Sequence, residues 1–224
     1  MDFTKTVAVV TGANRGLGRK FAEELVARGA KVYATARRPE TIDIEGVTPL
    51  RLDVTDHTSI EAAAKVAADA TLLINNAGIG SAPGLLEPDL DTVREQLEVH
   101  FVGPLAAIRA FAPAIEANGG GAILNVASVL SFAHPAWSGA YSVAKAAEWA
   151  MTDVVREELA PKGITVTGLH VGFMDTDMAA HVTEGKSDPA EVASTTLDAV
   201  AKGTPEVLFD EFTRNVKAGL SAAV

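Results

Sequence analysis

Three side chains with complementary chemistry lie near the middle of the sequence: Ser128, Tyr141 and Lys145. Tyr141 and Lys145 are four residues apart, so on a helix they share one face. An ammonium beside a phenol favours the phenolate, and a tyrosine in that position can give or take a proton near neutral pH. Ser128, at the predicted end of a strand, could bond to a substrate oxygen. Because Tyr–Lys pairs at this spacing are common, acid–base chemistry follows only if other motifs support it.

A glycine-rich turn, TGANRGLG at 11–18, follows an apolar strand and opens a helix. Gly12 permits a tight turn, Gly16 lets the backbone approach a pyrophosphate, and Gly18 allows close helix–strand packing. The start of the helix would present free N–H groups to the anion. The turn therefore predicts a dinucleotide-binding loop, and a purely structural turn is the alternative.

The end of the second predicted strand, ATARRPE at 34–40, bears on the choice of cofactor. An NAD site usually places an acidic side chain here, but this strand ends in Arg37 and Arg38. The planar guanidinium suits a phosphate group, and Arg15 in the glycine turn could add a third cation. We therefore expect NADP in preference to NAD. The alternative is that these arginines only cover a surface loop.

Apolar, β-branched segments alternate with helical patterns along the whole chain. Strands are predicted at 6–10, 31–35, 48–54, 71–75, 122–128, 164–171 and 206–209. Helices are predicted from the glycine turn to about Gly29, over 56–68, 90–118, 141–160 and 188–202, and from Asp210 onwards. This alternation is typical of a parallel sheet covered on both faces. The sequence predicts one α/β domain over 1–224, with a doubly wound parallel sheet of about seven strands.

Composition narrows the class of protein. The 224 residues are 48% apolar and 21% charged, which is typical of a soluble globular chain. No segment approaches the roughly 20 apolar residues that span a bilayer, and the first strand leaves no room for a signal peptide. The absence of cysteine excludes disulfides and fits a cytoplasmic setting. A net charge of -10 argues against binding to nucleic acid or to anionic membranes.

Taken together, the motifs resemble those of the short-chain dehydrogenase/reductase family. They are TGANRGLG, NNAG at 75–78, a serine thirteen residues before Tyr141, and YSVAK at 141–145. Their order and spacing match over nearly the whole chain, and the match is to the compact single-domain branch with a Rossmann-type fold. The resemblance implies an oxidoreductase that transfers a hydride to a ketone or aldehyde, reversibly. Together with the arginines at the end of the second strand, it favours an NADPH-dependent carbonyl reductase.

The resemblance also implies roles for individual residues. Tyr141 would donate a proton to the carbonyl oxygen, Ser128 would stabilise that oxygen, and Lys145 would assist Tyr141 and bind the nicotinamide ribose. Asp53 would meet the adenine, although a helix cap is its alternative role, and Asn76 could serve only to brace a turn. The full expected cofactor set is Gly12, Asn14, Arg15, Gly16, Leu17, Gly18, Arg37, Arg38, Asp53, Val54, Asn75, Ala77, Gly78, Tyr141, Lys145, Gly172 and Thr176.

Two places depart from the family pattern. In HVGFMDTDM at 170–178, Val171 stands where a proline is expected, while Gly172 and Thr176 remain and could hold the nicotinamide carboxamide. In QLEVHFVGPL at 96–105, His100 stands where relatives usually carry a catalytic asparagine.

Pro104 gives His100 a particular setting, because it has no N–H to bond the carbonyl of residue 100. We expect the helix to break here and that carbonyl to take an ordered water, which could connect Lys145 to solvent. The imidazole could replace the asparagine side chain, add a group titrating near pH 6.5, or only fill space.

The substrate pocket is expected to be mainly apolar, with walls from Val129 to Trp137, from Phe173 and Met174, and from a short lid with Met178. His134, in the first of these segments, is more often solvated than catalytic in such a loop. The five histidines lie on separate elements without paired ligand spacing, so no metal site is expected.

Two other functions stay open: an alcohol dehydrogenase that works oxidatively, and a sensor or scaffold that binds NADPH with weak turnover. The expected partners are a small carbonyl or alcohol substrate and further copies of this chain. The resemblance implies a homodimer or homotetramer that pairs the helices near 90–118 and 141–160.

Overall fold

The computed structural model describes residues 1–80 and 84–220. At its centre lies one sheet built from β1 Val7–Val10, β2 Lys31–Ala36, β3 Val47–Arg51, β4 Leu72–Asn75, β5 Gly121–Val126, β6 Ile164–His170 and β7 Glu206–Leu208. Every neighbouring pair is parallel, and the order is β3-β2-β1-β4-β5-β6-β7. The predicted doubly wound parallel sheet of about seven strands is confirmed.

Helices cover both faces of this sheet. They are α1 Gly16–Ala27, α2 His57–Val66, α3 Leu90–Leu97, α4 Gly103–Ala117, α5 Gly139–Leu159, α6 Pro189–Ala201 and α7 Glu211–Gly219. Phe21 of α1 and Leu197 of α6 belong to the core on one face. Ile60 of α2, Phe111 of α4 and Met151 of α5 belong to the core on the other.

The strands supply both cores because successive side chains of a strand point to opposite faces. In β1, Ala8 and Val10 pack with α1 and α6, whereas Val9 packs with α2, α4 and α5. In β5, Leu124 packs with the first of these cores and Ile123 with the second, and both side chains are fully buried. Continuous apolar strands are therefore needed at the centre of the sheet, where β1, β4 and β5 are buried on both faces.

The strand order reverses at β1. From β1 the chain runs outward through β2 and β3, then returns to place β4 on the other side of β1. Such a reversal leaves a crevice beyond the carboxyl ends of the two central strands, where α/β proteins bind their ligands. The glycine turn follows β1 and NNAG follows β4, so both lie at this crevice.

Two element boundaries differ from the sequence predictions. The strand predicted within 48–54 ends at Arg51. Beyond it, the Asp53 carboxylate accepts hydrogen bonds from Thr55, two residues ahead, and the chain leaves the sheet. The helix predicted over 90–118 is divided by a π-helical turn at Glu98–Val102. None of the helices within 1–80 and 84–220 is long and apolar enough to cross a bilayer.

Candidate active site

The glycine turn makes a tight bend before α1. Gly12 and Gly16 have φ angles of 66° and 54°, in the left-handed region that favours glycine. α1 begins at Gly16 after the extended Arg15, so its first N–H groups lie at the turn. Leu17 is buried beneath it, while Asn14 is half-buried. The geometry is that of a helix start open to an anion.

Gly18 allows a close approach inside the turn. A Cβ added to it would lie 2.3 Å from the carbonyl oxygen of Gly12 and 2.3 Å from Nδ2 of Asn76. The third glycine therefore packs the helix against the first residue of its own turn and against the turn after β4.

Gly18→Ala is expected to lower the free energy of unfolding by about 1–3 kcal/mol, because the added methyl group must displace backbone. The displaced turn should also bind a nicotinamide nucleotide more weakly. Thermal unfolding and fluorescence titration would measure the two effects. Gly219→Ala is the matched control, since an added Cβ there has no atom within 4 Å. Equal behaviour of the two variants would contradict the packing argument.

The turn after β4 is tied to the glycine turn. The Thr11 hydroxyl accepts the N–H groups of Asn76 at 2.9 Å and Ala77 at 3.0 Å. The Asn76 side chain donates to the carbonyl of Thr11 at 2.9 Å, so it braces the turn. A Cβ on Gly12 would lie 2.9 Å from the Cα of Ala77, which shows how closely the two turns pack.

The side chain of Asn75, a member of the expected cofactor set, is held by the core. It is 3% exposed, and its amide donates to Oδ1 of Asn125 on β5 at 2.8 Å. Asn125 in turn donates to the Thr152 hydroxyl of α5 at 2.9 Å. The Asn75 side chain therefore joins strands and helix within the core, because adjacent parallel strands place residues 75 and 125 side by side.

Asp53 and Val54 follow β3 at the same edge of the sheet. The Asp53 carboxylate accepts the N–H of Thr55 at 3.1 Å and its hydroxyl at 2.9 Å. The alternative role of Asp53 as a helix cap is wrong, since Asp56 caps α2 through the N–H of Ser59. Val54 is buried, and its carbonyl lies against Gly103.

The three arginines expected near a phosphate are exposed. Arg37 and Arg38 directly follow the buried end of β2, and Arg15 precedes α1. Within the described part of the chain none of them pairs with a carboxylate, whereas nearby Arg19 is paired with Glu23 and Asp43. Unpaired guanidinium groups at this edge fit an anionic ligand, so the residues present fit a dinucleotide with an extra phosphate.

Ser128 stands immediately after β5 and is 8% exposed. Its hydroxyl oxygen accepts the N–H of Leu130 at 3.1 Å, so its proton remains available for another oxygen. The carbonyl of Ser128 lies 3.2 Å from Nδ1 of His170, and this contact fixes the backbone at Ser128. Burial lowers the pKa of His170 to about 4, so this imidazole is neutral at pH 7.

Lys145 brings α5 against the end of β5. Its Nζ donates to the carbonyl of Val126 at 2.7 Å, two residues before Ser128. It also donates to Oε2 of Glu148 at 2.7 Å. Tyr141, one turn earlier, has its ring centroid 5.7 Å from the same Nζ. The structure thus brings the predicted Ser128, Tyr141 and Lys145 to one edge of the sheet.

His100 lies on the π-helical turn, where the Gly103 N–H bonds the carbonyl of Glu98, five residues back. The helix therefore breaks at the predicted place, because Pro104 cannot donate the next α-helical bond. Gly103 is required as well, since a Cβ there would lie 2.5 Å from the Val54 carbonyl oxygen. The ordered water stays a prediction.

The His100 imidazole is 2% exposed and meets the ring of Tyr141 edge-on at 5.0 Å. Nε2 lies 3.2 Å from the carbonyl oxygen of Ile79, so Nε2 carries the proton. Nδ1 is then a buried acceptor without a partner among the described residues. Burial, and then the Lys145 ammonium, lower the pKa of His100 well below 6.5, so the interpretation as a group titrating near 6.5 is wrong.

Gly78 lies against this imidazole, because a Cβ on Gly78 would be 2.9 Å from Cε1 of His100. The turn after β4 and the π-helical turn therefore form one wall of the crevice.

Thr176 lies opposite the glycine turn, since a Cβ on Gly16 would meet the Thr176 methyl at 3.5 Å. The Gly172 N–H donates to Oδ2 of Asp210 at 2.7 Å, and Asp210 also caps α7. Val171, in place of the expected proline, is 2% exposed and packs in the core. Sequence reasoning missed Asp210; its position as a helix cap just after β7 was the available signal.

The apolar residues expected in the pocket range from buried to exposed, and Met174 is partly buried against the core. Val129 and Phe132 are buried, and Phe132 stacks on His170 at 4.3 Å, so they belong to the interior. The exposed members are Trp137, Phe173 and Met178. His134 is exposed, as a solvated residue would be.

Glu148 is a second residue that sequence reasoning missed. It is 2% exposed and pairs with Lys145. A glutamate three residues after the lysine of YSVAK was the available signal, because i,i+3 positions are neighbours on a helix. No group of three or more His, Asp or Glu side chains in the described ranges could hold a metal ion.

Comparison with known proteins agrees with this geometry. A family model described as short chain dehydrogenase matches residues 6–187. "Short-chain dehydrogenase ptmH" of Penicillium ochrochloron is 36% identical over 181 residues, 77% of this chain and 66% of the relative. "NADPH-dependent 1-acyldihydroxyacetone phosphate reductase" of Schizosaccharomyces pombe is 32% identical over 184 residues, 79% of this chain and 62% of the relative. The chain thus spans slightly less than two thirds of either relative.

Solved structures are similar over the whole length. A short chain dehydrogenase from Burkholderia cenocepacia J2315 in complex with NADP has a TM-score of 0.95 and 38% identity, covering 100% of this chain and 95% of that one. A short chain dehydrogenase/reductase from Burkholderia phymatum in complex with NAD has a TM-score of 0.85 and 27% identity, covering 99% and 92%. The chain therefore belongs to the short-chain dehydrogenase family of oxidoreductases, which use a nicotinamide cofactor.

Proposed function

We propose that this protein is an NADPH-dependent carbonyl reductase that acts reversibly on a ketone or aldehyde. The observation that carries the proposal is the bond from Lys145 Nζ to the Val126 carbonyl at 2.7 Å. It places the face of α5 that bears Tyr141 beside the end of β5, where Ser128 stands. An acid, a hydrogen-bond donor and a fixed cation are thereby gathered at the cofactor crevice.

The side chains of this protein would divide the work at the substrate oxygen. Ser128 keeps a free hydroxyl proton and donates it as a hydrogen bond to the carbonyl oxygen. The Tyr141 hydroxyl transfers a proton to the same oxygen as negative charge develops there. Lys145 holds the nicotinamide ribose, and its ammonium lies 5.7 Å from the Tyr141 ring centroid. The bound cofactor, when reduced, supplies the hydride for the carbonyl carbon.

The preference for NADPH is supported by the exposed Arg37 and Arg38 at the end of β2. It is also in line with the relatives, since one is named NADPH-dependent and one solved structure holds NADP. Another solved structure holds NAD, so the arginines carry the argument within this chain.

The double variant Arg37→Ala/Arg38→Ala is expected to weaken NADPH binding about tenfold, which is about 1.4 kcal/mol, because two guanidinium groups near the 2′-phosphate are lost. Binding of NADH, which lacks that phosphate, should change little. Fluorescence titration with both nucleotides measures the difference. Lys65→Ala/Lys202→Ala removes the same charge near the C-terminal ends of α2 and α6 and serves as the control. Equal weakening of NADPH and NADH would contradict the assignment.

A panel of apolar ketones and aldehydes, followed by the loss of NADPH absorbance, tests the activity itself. Faster oxidation of alcohols with NAD would favour the oxidative dehydrogenase instead. Tight NADPH binding with no turnover across the panel would favour a sensor or scaffold.

We also propose that the protein works in the cytoplasm on a small carbonyl or alcohol substrate and assembles as a homodimer or homotetramer. Val143 and Val154 of α5 are exposed apolar side chains and are available for pairing of helices between copies.

A further inference from the structure

Glu148 is a buried acid within the catalytic half of the site. It lies one turn after Lys145 on α5 and is 2% exposed. Its Oε2 is 2.7 Å from Lys145 Nζ, and Lys145 is itself only 5% exposed. Buried charges are rare and need partners. A glutamate here must therefore either act on the lysine or lower the free energy of unfolding.

The contacts of Lys145 show what Glu148 does to its geometry. An ammonium has three N–H donors. One is donated to the Val126 carbonyl at 2.7 Å and one to Glu148 at 2.7 Å. The third remains for a ligand or for a contact with Tyr141. With two donors fixed, the direction of the third is fixed as well. Glu148 thus aims the remaining N–H of the lysine.

Glu148 also sets the charge of the pair. Its carboxylate offsets the Lys145 ammonium, whereas its neutral acid leaves the ammonium uncompensated. Burial raises the pKa of Glu148 to about 7, against the opposing effect of Lys145. Both forms are therefore present near neutral pH.

Two histidines around the pair stay neutral in that range, and Tyr141 lies on the same helix with its ring centroid 5.7 Å from Lys145 Nζ. His100 faces it from the π-helical turn and has a lowered pKa, mainly through burial. His170 faces it from β6, and burial lowers its pKa to about 4. Beyond His170, Glu206 and Lys217 form their own ion pair at 2.5 Å.

We propose that Glu148 is a positioning residue that aims the Lys145 ammonium and, through its own protonation, sets how much positive charge the lysine presents to the cofactor ribose and to Tyr141. The proposal rests on the proposed function only in assigning Lys145 to the nicotinamide ribose. Deprotonated Glu148 would weaken the hold of the site on an anionic nucleotide, and protonated Glu148 would strengthen it.

Glu148→Gln keeps the shape and an acceptor oxygen but removes the charge, so it separates aiming from charge. Dissociation constants for NADPH and NADH would be measured by nicotinamide fluorescence from pH 6 to 8.5 for the wild type and the variant. We expect similar values at pH 6, where Glu148 is mostly neutral. At pH 8.5 the wild type should bind about 3- to 10-fold more weakly than the variant, as an uncompensated charge at short range implies. Effects of pH on the nucleotide itself cancel in the ratio of the wild-type to the variant dissociation constant at each pH.

Glu157→Gln is the matched control, because Glu157 is an exposed glutamate on the same helix. The ratio of its nucleotide dissociation constant to that of the wild type should stay constant with pH. A Glu148→Gln ratio that is constant with pH, or that drifts as the control does, overturns the proposal. Weaker binding by the same factor at every pH also overturns it, since that indicates packing alone.

The binding measurement distinguishes this inference from the proposed function. If the wild type binds NADPH with the expected pH dependence but reduces no carbonyl, the reductase assignment fails and the role of Glu148 stands. If neither nucleotide binds, both fail. Should Glu148→Gln unfold, Glu148→Asp takes its place, because it retains the charge on a shorter side chain. Its nucleotide dissociation constant should then change with pH as that of the wild type does. Loss of that pH dependence overturns the proposal.

Discussion

Tyr141→Phe is expected to lower kcat/KM for carbonyl reduction by about 10²- to 10⁴-fold, the usual contribution of a general acid. The dissociation constant of NADPH should change little, because the ring and its edge-on contact with His100 at 5.0 Å remain. Stability should also be kept, since the Tyr141 hydroxyl has no bond to any residue in the described ranges. Steady-state kinetics, nucleotide titration and thermal unfolding measure the three quantities.

The second tyrosine supplies a control for this variant. Tyr33 on β2 is buried, and its hydroxyl bonds Lys31 at 2.8 Å and Asp69 at 3.1 Å, away from the crevice. Tyr33→Phe should therefore reduce stability slightly and leave the kinetics unchanged. A Tyr141→Phe variant that keeps most of its activity would remove Tyr141 from the role of proton donor.

Lys145→Met is expected to abolish activity and to cost about 3–5 kcal/mol of the free energy of unfolding, because it leaves Glu148 buried without its partner. The loss should depend on pH. Burial already raises the pKa of Glu148 from 4.5 to about 7, and removal of the ammonium raises it further. An acid whose pKa is higher in the folded than in the unfolded state contributes to the free energy of unfolding at low pH. That contribution is lost as the pH rises through the folded-state pKa. The cost should thus be larger at pH 8 than at pH 5.5.

A double variant tests the cause of that loss. Lys145→Met/Glu148→Leu replaces the pair by apolar side chains and should recover most of the stability while remaining inactive. Urea unfolding at both pH values gives the comparison. Both variants lack the Lys145 ammonium that helps to lower the pKa of His100, so the change at the histidine is common to the two. If Lys145→Met is equally destabilised at pH 5.5 and 8, or if the double variant recovers nothing, Glu148 is not a partner of Lys145.

Much of the fold could be predicted from local sequence. Uninterrupted apolar strands such as TVAVV predict burial on both faces, and the alternation with helices predicts parallel order. Adjacent elements that pack in sequence order leave few topologies to choose from. The boundary at β3 was less predictable, since Asp53 ends the strand through a side-chain bond that competes with the strand pattern.

Part of the candidate site could be predicted too. The spacing of Tyr141 and Lys145 places them on one helix face whatever surrounds them, and Pro104 interrupts helical bonding because it lacks an N–H. The Asn75–Asn125 bond could not be predicted, because it joins residues fifty apart in the chain. The tie from Asp210 to Gly172 spans 38 residues and was hidden for the same reason.

The sequence alone determined what depends on near neighbours: the strand and helix pattern, the glycine turn, the Tyr141–Lys145 face and the break before Pro104. Only the tertiary structure decided which way Asn75 points, that His100 is buried and neutral, and that Glu148 meets Lys145 away from the surface. Burial and charge coupling arise from packing between distant segments. They set protonation states, and no local pattern of residues specifies them.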